Sequence, residues 1–136
     1  MDKEVILNKL DSLSRCVARV ESKNPHSLET LKNDVDLQDV IVLNLERAVQ
    51  VCVDISMHVL SSLNFVLPNT MAESFILLAQ KKIICDATAE MMVKAVGFRN
   101  TAVHAYQAID WVIVDKIINN HIDDFRRFAK EIYEGL

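Results

Sequence analysis

The ten residues Gly97-Phe98-Arg99-Asn100-Thr101-Ala102-Val103-His104-Ala105-Tyr106 gather a cation, an amide, an imidazole and a phenol in one stretch. No other window of the chain offers comparable chemistry. A guanidinium holds phosphate or carboxylate oxygens as a planar fork and cannot shed its charge. Imidazole moves protons near neutral pH. Arg99, Asn100 and His104 therefore form a candidate anion site, with Arg99 as the fork, His104 as proton donor or acceptor and Asn100 as an orienting amide.

The site depends on the helix that must carry it, which the pattern begins near Asp86, with Asp86 or Thr88 as its cap. At about 100° per residue, Met92, Val96, Arg99, Val103 and Tyr106 share one stripe, with Tyr106 only about 20° from Arg99. Arg99 then sits midway along an apolar face and needs an anionic partner or a wet cleft, because burying an unpaired charge is costly. Asn100 and His104 fall on the neighbouring stripe, about 100–140° away. Gly97 weakens or bends this helix, or permits close backbone approach. By spacing alone the pattern is weak, and the plain alternative is an Arg that snorkels or pairs with an internal carboxylate.

The rest of the chain bounds the scaffold. Its 136 residues fit one domain, 1–136, large enough for a core without staples. Half of them are apolar, whereas Gly and Pro number two each, a balance that predicts an all-α protein. Cys16, Cys52 and Cys85 are widely spaced among apolar neighbours and read as core thiols of a reducing compartment. The charged start Met1-Asp2-Lys3-Glu4 shows no secretory pattern. The uncharged run from Ile55 to Ala72 holds His58, Asn64, Pro68 and Asn69, and reads as a buried helix end and a turn, with no membrane span expected. A formal charge of −4 opposes nonspecific nucleic-acid binding, so any such role requires a local basic cleft.

In chain order, a first helix is expected from Asp2 to Val20, with Ile6, Leu10, Leu13, Val17 and Val20 inward. A linker from Glu21 to Asp36 comes next, with His26 a solvated loop residue. The longest helix spans Leu37 to Phe65. Its stripe Leu37, Ile41, Leu45, Ala48, Cys52, Ile55, Val59 and Leu63 is joined by a second, Val42, Val49, Val53 and Leu60. A helix apolar on more than one side predicts a self-association surface, the alternative being a central helix wrapped by its neighbours. On this helix Asp54 and His58 are spaced for an ion pair or hydrogen bond. After a turn at Pro68-Asn69-Thr70, a short helix from Met71 to Gln80 turns Phe75, Leu78 and Ala79 inward, and Lys81 and Lys82 make a basic spot. Asp110 caps the final helix, with Val114, Ile117, Ile118, His121, Phe125, Phe128 and Ile132 inward.

Several chemistries are excluded. The only glycines are Gly97 and Gly135, so no Gly-rich phosphate loop exists. Neither zinc spacing nor a nucleophile elbow occurs, and a nucleotidyltransferase would need a Gly-Ser turn and alternating carboxylates that are absent. Metal-free chemistry with no cofactor is expected. It suits RNA, whose 2′-hydroxyl attacks its own phosphodiester once protons are moved and the anionic phosphorus centre is stabilised. His104 would handle a proton and Arg99 the charge. One histidine leaves a second proton transfer unassigned, which another copy across a two-fold axis would supply.

The run Arg99-Asn100-Thr101-Ala102-Val103-His104-Ala105-Tyr106 resembles the signature of HEPN-superfamily proteins of the HepT type: Arg, four residues, His, one residue, Tyr. The likeness extends to Leu37-Gln38-Asp39, Asp54-Ile55 with His58, the Pro68 turn and Asp123-Asp124-Phe125. It implies a bundle of about five helices, dimeric through the long apolar helix and the motif helix so that both motifs line one cleft. It further implies a ribonuclease toxin of a type VII toxin–antitoxin pair, acting on mRNA or tRNA in the cytoplasm, with an MntA-like nucleotidyltransferase as antitoxin. By carry-over Arg99 and His104 match the catalytic pair, Asn100 the polar residue beside the Arg, and Tyr106 the tyrosine that receives AMP. RNA affinity then rests on Arg99 with Lys94, Lys81 and Lys82 combined across the dimer. The alternative from another class is a non-catalytic partner that presents substrate or nucleotide to a minimal nucleotidyltransferase.

Overall fold

The computed structural model describes residues 2–136, which form helices and turns with no strand among them. The order is α1 (Lys3–Lys23), α2 (Leu28–Asn33), α3 (Val35–Ser62), α4 (Met71–Gln80), α5 (Asp86–His104), a 3-10 turn (Tyr106–Ala108), α6 (Trp111–Lys116), a π-helical stretch (Ile117–His121) and α7 (Ile122–Glu134). The helix count exceeds the expected five for two local reasons. The presumed linker contains α2, and a π stretch divides the closing helix.

α2 escapes periodicity because it is one and a half turns long with a single buried anchor, Leu31. Ser27 caps it by accepting from the Thr30 N–H, and the buried Gln38 amide donates to the Leu31 and Lys32 carbonyls at its end. α1 begins where Asp2 accepts from the Glu4 and Val5 N–H groups, and buries Ile6, Leu13, Val17 and Val20. Asp34 caps α3 through the Leu37 N–H, so α3 starts two residues earlier than the pattern indicated.

α3 is the axis of the bundle, packed by α1, α2, α4, α5 and α7. Its second stripe is consumed internally, Val42, Val49, Val53 and Leu60 being as buried as Ile41, Ala48, Cys52 and Ile55, whereas the first stripe ends on half-buried Leu37 and exposed Leu63. The second stripe is thus covered within one chain by a helix wrapped by its neighbours, and by itself gives no reason for another copy. The Asp54–His58 pair does not form either. Asp54 accepts from Lys9 Nζ at 3.5 Å and Gln50 Nε2 at 2.9 Å, while the buried His58 Nε2 has no partner.

α4 carries Phe75, Leu78 and Ala79 inward as expected, with the Phe75 ring edge-on to Phe128 at 5.6 Å. α5 is capped at Cys85, not at Asp86 or Thr88. No side chain caps it; instead the Cys85 N–H donates to Glu131 Oε1 on α7 at 3.2 Å. Thr88 is buried with its hydroxyl against Cys85 Sγ. Of the three cysteines only Cys52 is a core thiol, since Cys16 is half-buried and Cys85 exposed.

In the closing segment Asp110 caps α6 as expected, accepting from the Val112 N–H. The π stretch then adds a residue to one turn and shifts the register of α7. His121, expected inward, is exposed and pairs with Asp124 at 3.2 Å, while Ile122, Phe125, Phe128 and Ile132 take the core positions. Among the described residues no helix is long and apolar enough to cross a membrane.

Candidate active site

α3 and α5 lie side by side and antiparallel, with Gln50 meeting Arg99 and Asp39 meeting Tyr106. On α3 the residues Asp39, Leu43, Glu46 and Gln50, at steps of four and three, form one stripe along that seam. Three of them are polar interruptions of an otherwise apolar helix. Gln50 was not singled out by sequence, and Asp39 entered only as part of the family resemblance; their spacing was the available signal.

Arg99 is half-buried on α5 with the buried Met92 and Val96 before it, as the helical wheel required, but Val103, expected on the same stripe, is exposed and Ala102 takes the buried position beyond Arg99. Its Nη2 donates to Gln50 Oε1 at 3.4 Å and its Nη1 to Asn100 Oδ1 at 3.3 Å. Both partners are neutral and both contacts long. Among the described residues no carboxylate comes within ion-pair distance of it. The internal ion pair that would have made Arg99 purely structural is not formed among the described residues.

Asn100 and His104 are exposed and one turn apart on the adjoining flank, with His104 the last residue of α5. Gly97 leaves the helix unbroken, and a Cβ there would meet nothing within 4 Å, so the chain's own packing does not demand the glycine.

The helix does not extend to Tyr106. Ala105 departs to φ −149°, ψ 56°, and the chain tightens into the 3-10 turn. The 20° relation between Tyr106 and Arg99, which assumed a continuous helix, is corrected by this break. Tyr106 instead turns across to α3, where its Oη donates to Asp39 Oδ1 at 2.7 Å, and its ring stands edge-on to Trp111 at 6.3 Å. Partial burial, the bond to Asp39 and the negative charges of Asp39 and Glu46 all raise the phenol pKa above its ordinary value, because each disfavours phenolate.

The lysines are placed elsewhere in the chain. Lys94 is exposed beside Glu90, on the other flank of α5. There it borders an apolar groove of about 470 Å³, lined by Met91, Phe98, Ile113 and Phe125, that includes none of Arg99, Asn100, His104 or Tyr106. Lys81 and Lys82 follow α4, Lys81 lying over the Phe65 ring at 4.4 Å. They adjoin the start of α5, whereas Arg99 is thirteen residues further on, about 20 Å at 1.5 Å per residue. One chain therefore brings Arg99, Asn100 and His104 together near the end of α5, while Tyr106 meets α3 at Asp39, about 16 Å along that helix from Gln50, and Lys81 and Lys82 lie apart. Among the described residues no group of three or more His, Cys, Asp or Glu is placed to hold a metal ion.

An all-helical bundle with a central long helix, presenting an unpaired Arg with Asn, His and Tyr at the end of a second helix, defines a HEPN-type protein. Residues 11–132 match the family described as ribonuclease HepT-like. The mRNA nuclease HepT of Shewanella oneidensis is 34% identical over 129 residues, which cover 95% of this chain and 96% of that protein. The structure of a tri-AMPylated Shewanella oneidensis HEPN toxin in complex with MNT antitoxin matches with a TM-score of 0.91 at 34% identity, over 98% of this chain and 99% of that one. A toxin–antitoxin structure with AMP-PNP gives 0.91 at 33% identity, over 96% and 98%. The Bacillus subtilis cytosolic protein YutE, of unknown function, shares the fold alone, with a TM-score of 0.86 at 15% identity over 100% and 91%. The chain belongs to the HepT-like ribonuclease family.

Proposed function

We propose that this HepT-like ribonuclease is the toxin of a toxin–antitoxin pair and cleaves RNA at the Arg99–His104 motif, in the cytoplasm where its RNA and nucleotide partners are found. The observation that carries this reading is Arg99, a half-buried guanidinium held only by two neutral side chains. Its fork takes the non-bridging oxygens of the scissile phosphate, where negative charge grows as the 2′-hydroxyl attacks phosphorus. A bond forms from O2′ to phosphorus and the bond from phosphorus to O5′ breaks, leaving a cyclic phosphate and a free 5′-hydroxyl. His104 transfers one of the two protons, and Asn100 orients the phosphate or the Arg99 fork. The second proton transfer falls to His104 of another copy, which makes the active unit a homodimer with both motifs in one cleft. Lys94, Lys81 and Lys82 reach RNA only if the partner brings them to that cleft. The chemistry needs neither metal nor cofactor.

Tyr106 is the site at which an MntA-like nucleotidyltransferase antitoxin silences the protein by adding AMP. In that transfer Oη bonds to the α-phosphorus of a nucleoside triphosphate, pyrophosphate leaves, and the phenol proton passes to Asp39 Oδ1, which already accepts it at 2.7 Å. The added phosphate puts negative charge on the seam that holds Arg99, and repels both Asp39 and incoming RNA phosphate.

The test is cleavage of total cellular RNA in EDTA by wild type, Arg99→Ala and His104→Ala at matched folding, after intact mass has shown Tyr106 unmodified. Cleavage by wild type alone is expected. Equal cleavage by all three would place the chemistry elsewhere, and none by any would favour the non-catalytic partner of a nucleotidyltransferase.

A further inference from the structure

The motif alone leaves substrate affinity unexplained, since the chain carries 19 acidic against 15 basic residues and Asp39 and Glu46 flank the site. A second groove, between α1 and α3, answers this. It holds about 420 Å³ and is lined by Arg15, Arg19 and Arg47 with Cys16, Leu43 and Asn44 among others, and no carboxylate lines it. Three of the six arginines of the chain thus converge on one concavity.

Arg15, Arg19 and Arg47 are all exposed. Arg15 has a solvent-exposed ion pair with Asp11 at 3.3 Å, a contact of the kind that yields readily to a better anion. Arg19 and Arg47 have no carboxylate within 4.0 Å among the described residues. The positive field is felt by the Cys16 thiol, whose pKa burial raises while Arg47 and Arg15 oppose the rise. The α3 wall of the groove adjoins the residues that meet the motif helix. Leu43 belongs both to its wall and to the α3 stripe that faces α5, and Arg47 stands three residues before Gln50, the residue that holds Arg99.

We infer that the α1–α3 groove is a binding track for the sugar-phosphate backbone of single-stranded RNA, with Arg15, Arg19 and Arg47 each neutralising phosphate next to the scissile bond. This rests on the ribonuclease reading. Single-stranded RNA is favoured because attack by the 2′-hydroxyl in line with the leaving oxygen requires a backbone free of the duplex. No aromatic side chain lines the groove, so it reads charge and spacing, not bases. Arginine suits the task through its rigid fork.

The experiment uses the full chain carrying His104→Ala, so that RNA survives, and measures anisotropy of a labelled single-stranded RNA over a series of salt concentrations. Each phosphate contact on a single strand contributes about −0.7 to the slope of log K against log salt. Changing Arg15, Arg19 and Arg47 together to Gln is expected to flatten the slope by about 2 and to weaken binding at least about tenfold at low salt. The corresponding triple Lys variant keeps the slope, which a merely structural role would not predict. Should the triple Gln variant melt early, Arg19→Gln and Arg47→Gln singly, each flattening the slope by about 0.7, decide the same question. An unchanged slope and affinity in the Gln variants would overturn the inference. So would intact RNA binding with altered oligomer mass or lost antitoxin binding, which would make the groove a protein interface. If the His104→Ala parent binds no RNA and wild type cleaves none, the ribonuclease reading itself has failed.

Discussion

Replacing Arg99 with Ala separates a functional arginine from a structural one, because the two roles predict opposite sizes for two measurable effects. Arg99 makes two side-chain hydrogen bonds, at 3.4 and 3.3 Å, both to neutral partners. Each is worth no more than about 1 kcal/mol in a half-exposed setting, and removing a partly desolvated cation returns some of that loss. A net destabilisation of about 1 kcal/mol lowers Tm by roughly 3–5 °C in a chain of this size. Activity behaves differently. Loss of a fixed donor that stabilises the transition-state anion costs about 10²–10³ in kcat, or about 2.7–4 kcal/mol. The assay is single-turnover cleavage of a defined RNA well below both melting temperatures, with thermal melting in the same buffer. Arg99→Lys should fall between, since it keeps the charge and loses the fork. A melting temperature lowered by more than about 10 °C, with activity per folded molecule unchanged, would refute the reasoning and make Arg99 a structural residue.

The remaining expectations concern Tyr106 and the thiols. Tyr106→Phe removes the bond to Asp39 and should cost about 1 kcal/mol, while intact mass should show no AMP addition by the antitoxin. The folded phenol pKa lies above the unfolded value of about 10, so this stabilisation is complete below about pH 10 and is lost as pH rises through the higher folded value. The Tm difference between wild type and Tyr106→Phe should therefore hold steady to about pH 9 and narrow above it. Asp39→Asn should lower the pH of Tyr106 ionisation, read by ultraviolet titration in a Tyr133→Phe background, and should slow adenylylation more than the change in Tm explains. Thiol labelling of the native protein should modify Cys85 first. Cys52, fully buried and with its pKa well raised, should react only on unfolding, and labelling of Cys52 at the rate of Cys85 would contradict the described packing.

Periodicity identified α1, α3, α4 and α5 because each is ten residues or longer and buries a repeating stripe. It missed α2, where one buried leucine makes no period, and it misplaced His121, because a π stretch changes phase without any residue that announces it. It also treated the second apolar stripe of α3 as surplus. How many neighbours surround a helix is a property of the whole bundle, and five helices pack against this one.

The candidate site divides in the same way. Arg99, Asn100 and His104 were legible because five consecutive steps on one helix fix their mutual angles, and the order Arg, His, Tyr carried the family. Helix geometry is local, so these relations needed no partner. The tertiary structure alone decided the rest: that α5 stops at His104, that Tyr106 turns across to Asp39, that Gln50 and no carboxylate meets Arg99, and that Arg15 and Arg19 of α1 join Arg47 of α3. Contacts between positions 49 or 67 residues apart depend on how helices are packed against one another, and a helical period carries no information about that.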